Sequence, residues 1–190
     1  MGTMAQRRPF LRRVRGRFAT YLLRFNKLVF FSNSLRMFVY RRLIGMPIGT
    51  DSIIWVGNRI NQADNFVIGN NSIIGPNNVF LARGGIKIGN NVNLSGFGFF
   101  ISQAHDLDSD DFTRTTLAPI NIRDHTWVAT NVTILPGVEL GEGAVVAAGS
   151  VVINDVPPYS VVAGNPARVV KKRTQKINYL LKATKGLKWL

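Results

Sequence analysis

The chain has 190 residues, 46% of them apolar and 18% charged, with a net charge of +14 and no cysteine. That length holds one domain with extensions. The lack of thiols excludes disulfides, thiolate metal sites and a cysteine nucleophile, and it fits a reducing compartment.

The charge is uneven. Residues 1–45 carry eleven Lys/Arg and no acid, residues 168–190 carry eight and no acid, and the stretch between them carries five basic and ten acidic residues. Residues 1–45 therefore form a basic arm, read as amphipathic and mostly helical. Phe10, Phe18, Leu22, Phe25, Phe30, Leu35 and Phe38 are interrupted by Arg24, Lys27, Arg36, Arg41 and Arg42. The apolar run is too broken to span a bilayer. It has neither a clean apolar core nor a small-residue cleavage site of the kind that marks a signal peptide. Two readings stand: an interfacial anchor drawn to anionic lipid, or a helix packed on the flank of the following domain. No groove-reading or RNA-stacking motif accompanies the charge, which argues against a nucleic-acid partner. The expected location is cytoplasmic, peripheral at the inner face of the cell membrane if the arm engages lipid.

A repeat begins near residue 46. Ile48, Ile54 and Ile60 are six apart; so are Ile68, Ile74 and Phe80, and again Ile88, Leu94 and Phe100. The phase jumps by two between Ile60 and Ile68 and between Ile86 and Ile88, as small corner insertions would produce. Downstream the beat runs without a slip through Ile122, Val128, Ile134, Leu140, Val146 and Val152. Four residues after each stands a small or β-branched residue: Thr126, Val132, Val138, Ala144, Ser150 and Val156. A period of six fits neither a helix nor a flat strand. It fits a coil of triangular section with one short strand per side, each corner sending an aliphatic residue inward onto the next coil. Gly137, Gly141, Gly143 and Gly149 mark corners that need φ > 0 or close packing. Residues 46–167 hold roughly six coils at about eighteen residues each.

The beat vanishes between Phe100 and Ile120. A polar loop, about residues 101–119, runs through His105, Asp106, Asp108, Asp110 and Asp111. A loop thrown out of a repetitive scaffold is where function concentrates. The chain has two histidines, and His105 is the one in this loop. Imidazole titrates near neutrality and suits a general base. His125, in Arg123-Asp-His-Thr-Trp at a predicted corner, reads as structural. Residues 168–190 read as a basic tail with a short helix placing Ile177, Leu180 and Leu181 on one face, capping the open end of the solenoid.

The stretch Pro119-Ile-Asn-Ile-Arg-Asp-His-Thr-Trp-Val-Ala-Thr-Asn-Val-Thr-Ile-Leu-Pro-Gly-Val resembles the hexapeptide-repeat acyltransferases. So does Gly143-Ala-Val-Val-Ala-Ala-Gly-Ser-Val-Val with the later Ala163-Gly-Asn-Pro-Ala ending. The likeness is to the maltose/galactoside O-acetyltransferase branch, and in the Ala104-His-Asp-Leu-Asp loop to colanic-acid and exopolysaccharide O-acetyltransferases. It covers about residues 46–172.

The resemblance implies an all-β left-handed parallel β-helix, against the usual right-handed crossover rule. It also implies a homotrimer with active sites between subunits, acetyl-CoA as co-substrate and no metal. His105 matches the family's general base, taking a proton from a sugar or glycan hydroxyl as it attacks the thioester directly, with corner N–H groups facing the oxyanion. Trp127 matches an aromatic wall of the acceptor cleft, and Asp106, Asn77 and Asn78 are further candidates for acceptor binding. Ala129, Thr130 and Ala148 match the path of the pantetheine arm. Arg168 and Lys171 match the basic residues near the CoA 3′-phosphate. One departure is Arg123-Asp124-His125, where the family usually has Gly followed by Asp or Asn. The basic arm has no counterpart in small soluble sugar acetyltransferases and suits a cell-surface polysaccharide unit or its lipid-linked precursor as acceptor.

Three competing readings share the fold. A γ-type carbonic anhydrase needs three histidines around zinc, more than this chain has. A serine or xenobiotic acetyltransferase has no evident use for a short basic arm. A non-catalytic trimeric scaffold would have no need to keep His105.

Overall fold

The structure, a computed structural model, describes residues 32–173, 177 and 179–181. The N-terminal arm before Ser32 and the tail after Leu181 lie outside the described residues, and with them most of the expected helical arm.

The described chain enters through α1 (Asn33–Phe38), which runs directly into a π-helical turn over Val39–Ile44 that ends at Gly45, φ 78°. The inner face of this cap, Met37, Val39, Tyr40 and Ile44, joins the core of the solenoid. Arg36 is buried with it; its Nε–H donates to the Ile54 carbonyl at 2.8 Å and its Nη2 reaches Asn33 Oδ1. Arg41 Nη2 donates to the carbonyls of Gly49 and Ser52. The cap is thereby stitched across the first coil, covering strand ends that would otherwise stay unpaired.

From there the chain winds about six coils with three parallel faces. The first face stacks β3 (Phe66–Ile68), β6 (Ile86–Ile88), β11 (Ile120–Ile122) and β14 (Glu139–Leu140). The second stacks β1 (Ile53–Ile54), β4 (Ile73–Ile74), β7 (Asn93–Leu94), β12 (Trp127–Val128), β15 (Val145–Val146) and β17 (Ser160–Gly164). The third stacks β2 (Arg59–Asn61), β5 (Val79–Leu81), β8 (Phe99–Ile101), β13 (Thr133–Ile134) and β16 (Val151–Val152). The six-residue beat is the interior: Ile122, Val128, Ile134, Leu140, Val146 and Val152 are all buried, as are the small residues four positions after each.

The phase jumps have a simple cause. Ile68 pairs with Ile88, twenty residues on, whereas Ile122 pairs with Leu140, eighteen on. The first coils spend the two extra residues where the third face turns into the first, in a 3-10 turn at Ala63–Asn65 and at the Arg83-Gly-Gly turn. Phe66, Phe80 and Phe100 fill this wider section, with ring centroids 4.8 Å and 4.7 Å apart.

The Gly-Asn-Asn corners are explained by stacking. The first asparagine accepts from the backbone of the coil before it, Asn70 Oδ1 from Thr50 N–H at 2.9 Å and Asn90 Oδ1 from Asn70 N–H at 2.8 Å. The second asparagine, Asn71 or Asn91, sits in the left-handed region. A Cβ on Gly69 would lie 2.6 Å from the Gly89 carbonyl oxygen, so the coils meet there only without a side chain. Arg123-Asp124-His125 repeats this arrangement with other residues. Asp124 accepts from Asn90 N–H at 2.8 Å and from Asn90 Nδ2–H at 3.0 Å, and His125 takes the left-handed position, φ 59°.

The tail departs from expectation. Residues 168–172, expected as the start of a helical tail, belong to β18 (Ala167–Lys172), a strand antiparallel to β17. The chain reverses through Gly164 (φ 99°) and the cis Asn165–Pro166 bond. The adjacent β-branched Val169 and Val170, flanked by Arg168, Lys171 and Lys172, suit an edge strand better than a helix. Beyond it, the described tail residues run back along the edge between the first and second faces. Ile177 covers Gly143, Tyr179 meets the His125 ring edge-on at 5.6 Å, and Leu181 N–H reaches Asn91 Oδ1 at 3.2 Å. These residues line a flank of the solenoid and do not cap its end.

If the inward beat carries the stability, Ile86→Ala lowers the unfolding free energy by about 2–5 kcal/mol. Lys87→Ala, on the outward side of the same strand, changes it by less than about 0.5 kcal/mol. Urea denaturation of both variants beside the wild type measures the difference.

Candidate active site

The interruption of the repeat is a hairpin. After β8 the chain leaves the solenoid as β9 (Gln103–His105), turns through 106–114, and returns as β10 (Thr115–Leu117), with Thr115 opposite His105. It departs at the edge between the third and first faces. Buried Ser102 fixes its base: its N–H and Oγ–H both donate to the Leu81 carbonyl, its Oγ accepts from Gly84 N–H, and its carbonyl accepts from Ala118 N–H.

His105 sits at the end of β9, exposed, its ring stacked on Phe112 with centroids 4.2 Å apart and planes 9° apart. Its Nδ1 lies 2.7 Å from the Phe112 carbonyl oxygen. A carbonyl can only accept, so in the neutral ring Nδ1 carries the proton and donates, and Nε2 keeps its lone pair. In that tautomer Nε2 is the nitrogen able to accept a proton. The loop thus fixes both the ring plane and the tautomer of His105 through Phe112.

The carboxylates serve the turn. Asp106 Oδ1 accepts from Asp108 N–H at 3.2 Å, and Asp111 Oδ1 accepts from Thr113 N–H and Oγ1–H at 2.9 Å and 2.6 Å. The two Thr113 hydrogen bonds hold the Asp111 carboxyl below its ordinary range, so it is ionised at neutral pH. Asp106 is half-buried and fastened to Arg114 through its own N–H.

The remaining candidates fall on other parts of the solenoid. Ala129, Thr130 and Ala148 lie on the edge between the second and third faces, in successive coils, where Gly149 N–H donates to the Thr130 carbonyl at 3.0 Å. Nothing overhangs Gly149 within 4 Å of where a Cβ would stand, so this edge is open. Arg168 is in register with Ala163 and Lys171 with Val161, both exposed on β18 at the end of the second face. Trp127 projects outward from the second face, 45% exposed, between Asn93 and Val145.

Asn77 is exposed in the left-handed region on the edge that Ala129 shares. Asn78 is not a surface residue. It is fully buried: its Nδ2–H donates to the Gly75 carbonyl and its Oδ1 accepts from Gly98 N–H, while its own N–H goes to Asn58 Oδ1. Its amide is consumed in an internal ladder, so it cannot contact an acceptor.

Within one chain the hairpin with His105 and the second face with Trp127 are on opposite sides of the triangular section. The edge carrying Ala129 and Ala148 is separated from the hairpin by the whole third face. Sequence reasoning had missed Phe112. An aromatic residue in an otherwise polar loop was a visible signal; its carbonyl contact was not. Among the described residues no group of three or more His, Cys, Asp or Glu is arranged to hold a metal.

With this geometry established, the comparisons place the chain. The family described as "Bacterial transferase hexapeptide (six repeats)" matches residues 119–154. The hexapeptide-repeat acetyltransferase VCA0836 of Vibrio cholerae superposes with a TM-score of 0.78 at 30% identity, over 88% of this chain and 95% of that one. Its complex with acetyl-CoA superposes at 0.76, over 92% and 93% at 28% identity. A maltose O-acetyltransferase from Clostridium difficile 630 gives 0.77 at 28% identity, over 87% and 90%. The chain belongs to the hexapeptide-repeat acetyltransferases, and its fold is the left-handed β-helix of that family. SAR2635 of Staphylococcus aureus (strain MRSA252), whose acetyltransferase name is provisional, is 40% identical over 112 residues, 57% of this chain and 55% of that protein. The chain spans about half the length of the curated relatives it matches.

If His105 is the base, then because Phe112 stacks on its ring, Phe112→Ala should lower turnover by about 10-fold to 10²-fold through misplacement of the imidazole. Thermal unfolding of the solenoid should stay near wild type, since the hairpin lies outside the core. Steady-state kinetics beside a melting curve separates the two.

Proposed function

We propose that this chain is an acetyl-CoA-dependent O-acetyltransferase that modifies a sugar hydroxyl of a cell-surface polysaccharide or its lipid-linked precursor. The observation that carries the reading is the His105 imidazole, held by Phe112 in the tautomer that leaves Nε2 free. In the proposed reaction Nε2 takes the acceptor hydroxyl proton as that oxygen attacks the thioester carbon. The tetrahedral intermediate collapses with loss of the CoA thiolate, which leaves as the thiol after accepting a proton from the imidazolium. No acyl-enzyme forms, in keeping with a chain that has no cysteine.

The open edge at Ala129, Thr130 and Ala148 is the proposed bed of the pantetheine arm, because small residues let the backbone approach it closely. Arg168 and Lys171 are proposed to meet the phosphates. Trp127, Asp106 and Asn77 remain the proposed acceptor contacts. One chain holds these groups apart, so the reading includes a homotrimer in which the hairpin of one subunit reaches the edge of its neighbour. The structural relatives support a sugar acceptor: one is a maltose O-acetyltransferase and another a galactoside acetyltransferase solved with coenzyme A.

The test is acceptor-dependent release of CoA from acetyl-CoA across a panel of sugars and lipid-linked glycans. His105→Ala should lower the rate by about 10² or more while CoA affinity is retained. Unchanged activity in that variant would return the chain to the scaffold reading.

A further inference from the structure

The cap that closes the first coil has two faces. Its inner face is packed into the core. Its outer face presents Leu35 (49% exposed), Phe38 (54%) and Leu43 (56%), three large apolar residues on one short helical segment, with exposed Arg42 among them. Beside them a cleft is lined by the apolar Met37, Phe38 and Ile53 and by the charged Arg41, Arg42 and Asp51, with Arg41 already donating to the Gly49 and Ser52 carbonyls. The outward side chains of the solenoid's first face differ: a single valine, Val67, stands beside Lys87, Asn121 and the Arg123–Glu139 ion pair.

The chain that leads into this cap decides what covers it. Residues 1–45 carry eleven Lys/Arg and no acid, and all but three of those cations precede Ser32. A strongly basic stretch is therefore joined in sequence directly to an exposed apolar face. Apolar side chains beside dense positive charge, without a helix long and apolar enough to cross a bilayer among the described residues, match the chemistry of an anionic lipid surface.

We propose that the folded cap itself, through Leu35, Phe38 and Leu43, inserts into the interface of an anionic bilayer, with Arg42 at the headgroups. The solenoid then stands with its first coil at the membrane. His105 leaves from the third coil, about 10 Å further along the axis at the strand spacing of a sheet. On the functional reading above, this sets the base within reach of an acceptor carried on a lipid.

The test uses the full chain. Because it has no cysteine, Phe38→Cys and Lys87→Cys each accept one environment-sensitive fluorophore. With vesicles of phosphatidylcholine and phosphatidylglycerol, the label at position 38 should shift to the blue and the label at 87 should not. Phosphatidylcholine vesicles alone should give no shift at either position. The triple variant Leu35→Ser, Phe38→Ser, Leu43→Ser keeps every arginine and should lose about tenfold or more in vesicle affinity. A label at 38 that is already shifted without vesicles would mean that the arm or a second copy covers this face, and would overturn the proposal. So would vesicle binding that leaves position 38 in water, or a triple variant that binds within about twofold of wild type, since charge in the arm alone would then suffice. Thioester cleavage by the triple variant with a soluble acceptor should stay within about twofold of wild type, so a failure of docking is read apart from a failure of the enzymatic reading.

Discussion

Each coil must lie one hydrogen bond away from the next, so whatever a corner places in that gap the neighbouring coil has to accommodate. At a strand spacing of about 4.8 Å a side chain at Gly69 would strike the following backbone, and only glycine stands there. The same spacing lets one asparagine or serine serve two coils. Ser52 Oγ donates to the Gly69 carbonyl at 2.6 Å and accepts from Ser72 N–H at 2.9 Å, and Ser72 repeats the pattern one coil on. The interior polar groups are thus satisfied by repetition, which is how a solenoid with a thin core keeps buried backbone paired.

A scaffold so constrained has little freedom to host chemistry on its walls, and the hairpin after β8 is where the constraint is lifted. Its base is held by Ser102 inside the stack, while its tip answers to local turn chemistry from Asp106 and Asp111. His105 gains a defined tautomer from a backbone carbonyl and a defined plane from Phe112. Rigid support at the root and local bonds at the tip give a preorganised imidazole on an exposed loop, as the proposed role of general base would need.

Much of this was legible in the sequence, and the reasons are physical. A strict six-residue beat has one geometric solution, so the coils, their inward residues and the small residues beside them could be read directly. The hairpin was visible as the place where the beat stops. What could not be read depended on contacts distant in the chain. Asn78 sits in a motif of corner asparagines, and only the stacking of Asn58, Asn78 and Gly98 shows that its amide faces inward. The strand at Ala167–Lys172 was hidden by its basic composition, which suggested a solvated helix. Its antiparallel pairing arises from the reversal at Gly164 to Pro166. The handedness of the coil came from family resemblance, because periodicity is blind to it.

One chain holds His105 and the open edge at Ala148 on different sides of the solenoid, so the proposed reaction requires a site shared between chains. The direct measurement is complementation. Chains carrying His105→Ala and chains carrying Ala148→Trp are co-expressed with different tags, and mixed assemblies are purified through both. Each variant alone should be inactive. Mixed assemblies should regain acceptor-dependent CoA release, because some sites pair an intact His105 from one chain with an intact edge from another. Mixed assemblies as inactive as their parents would show that base and CoA edge come from the same chain, and would contradict the shared site.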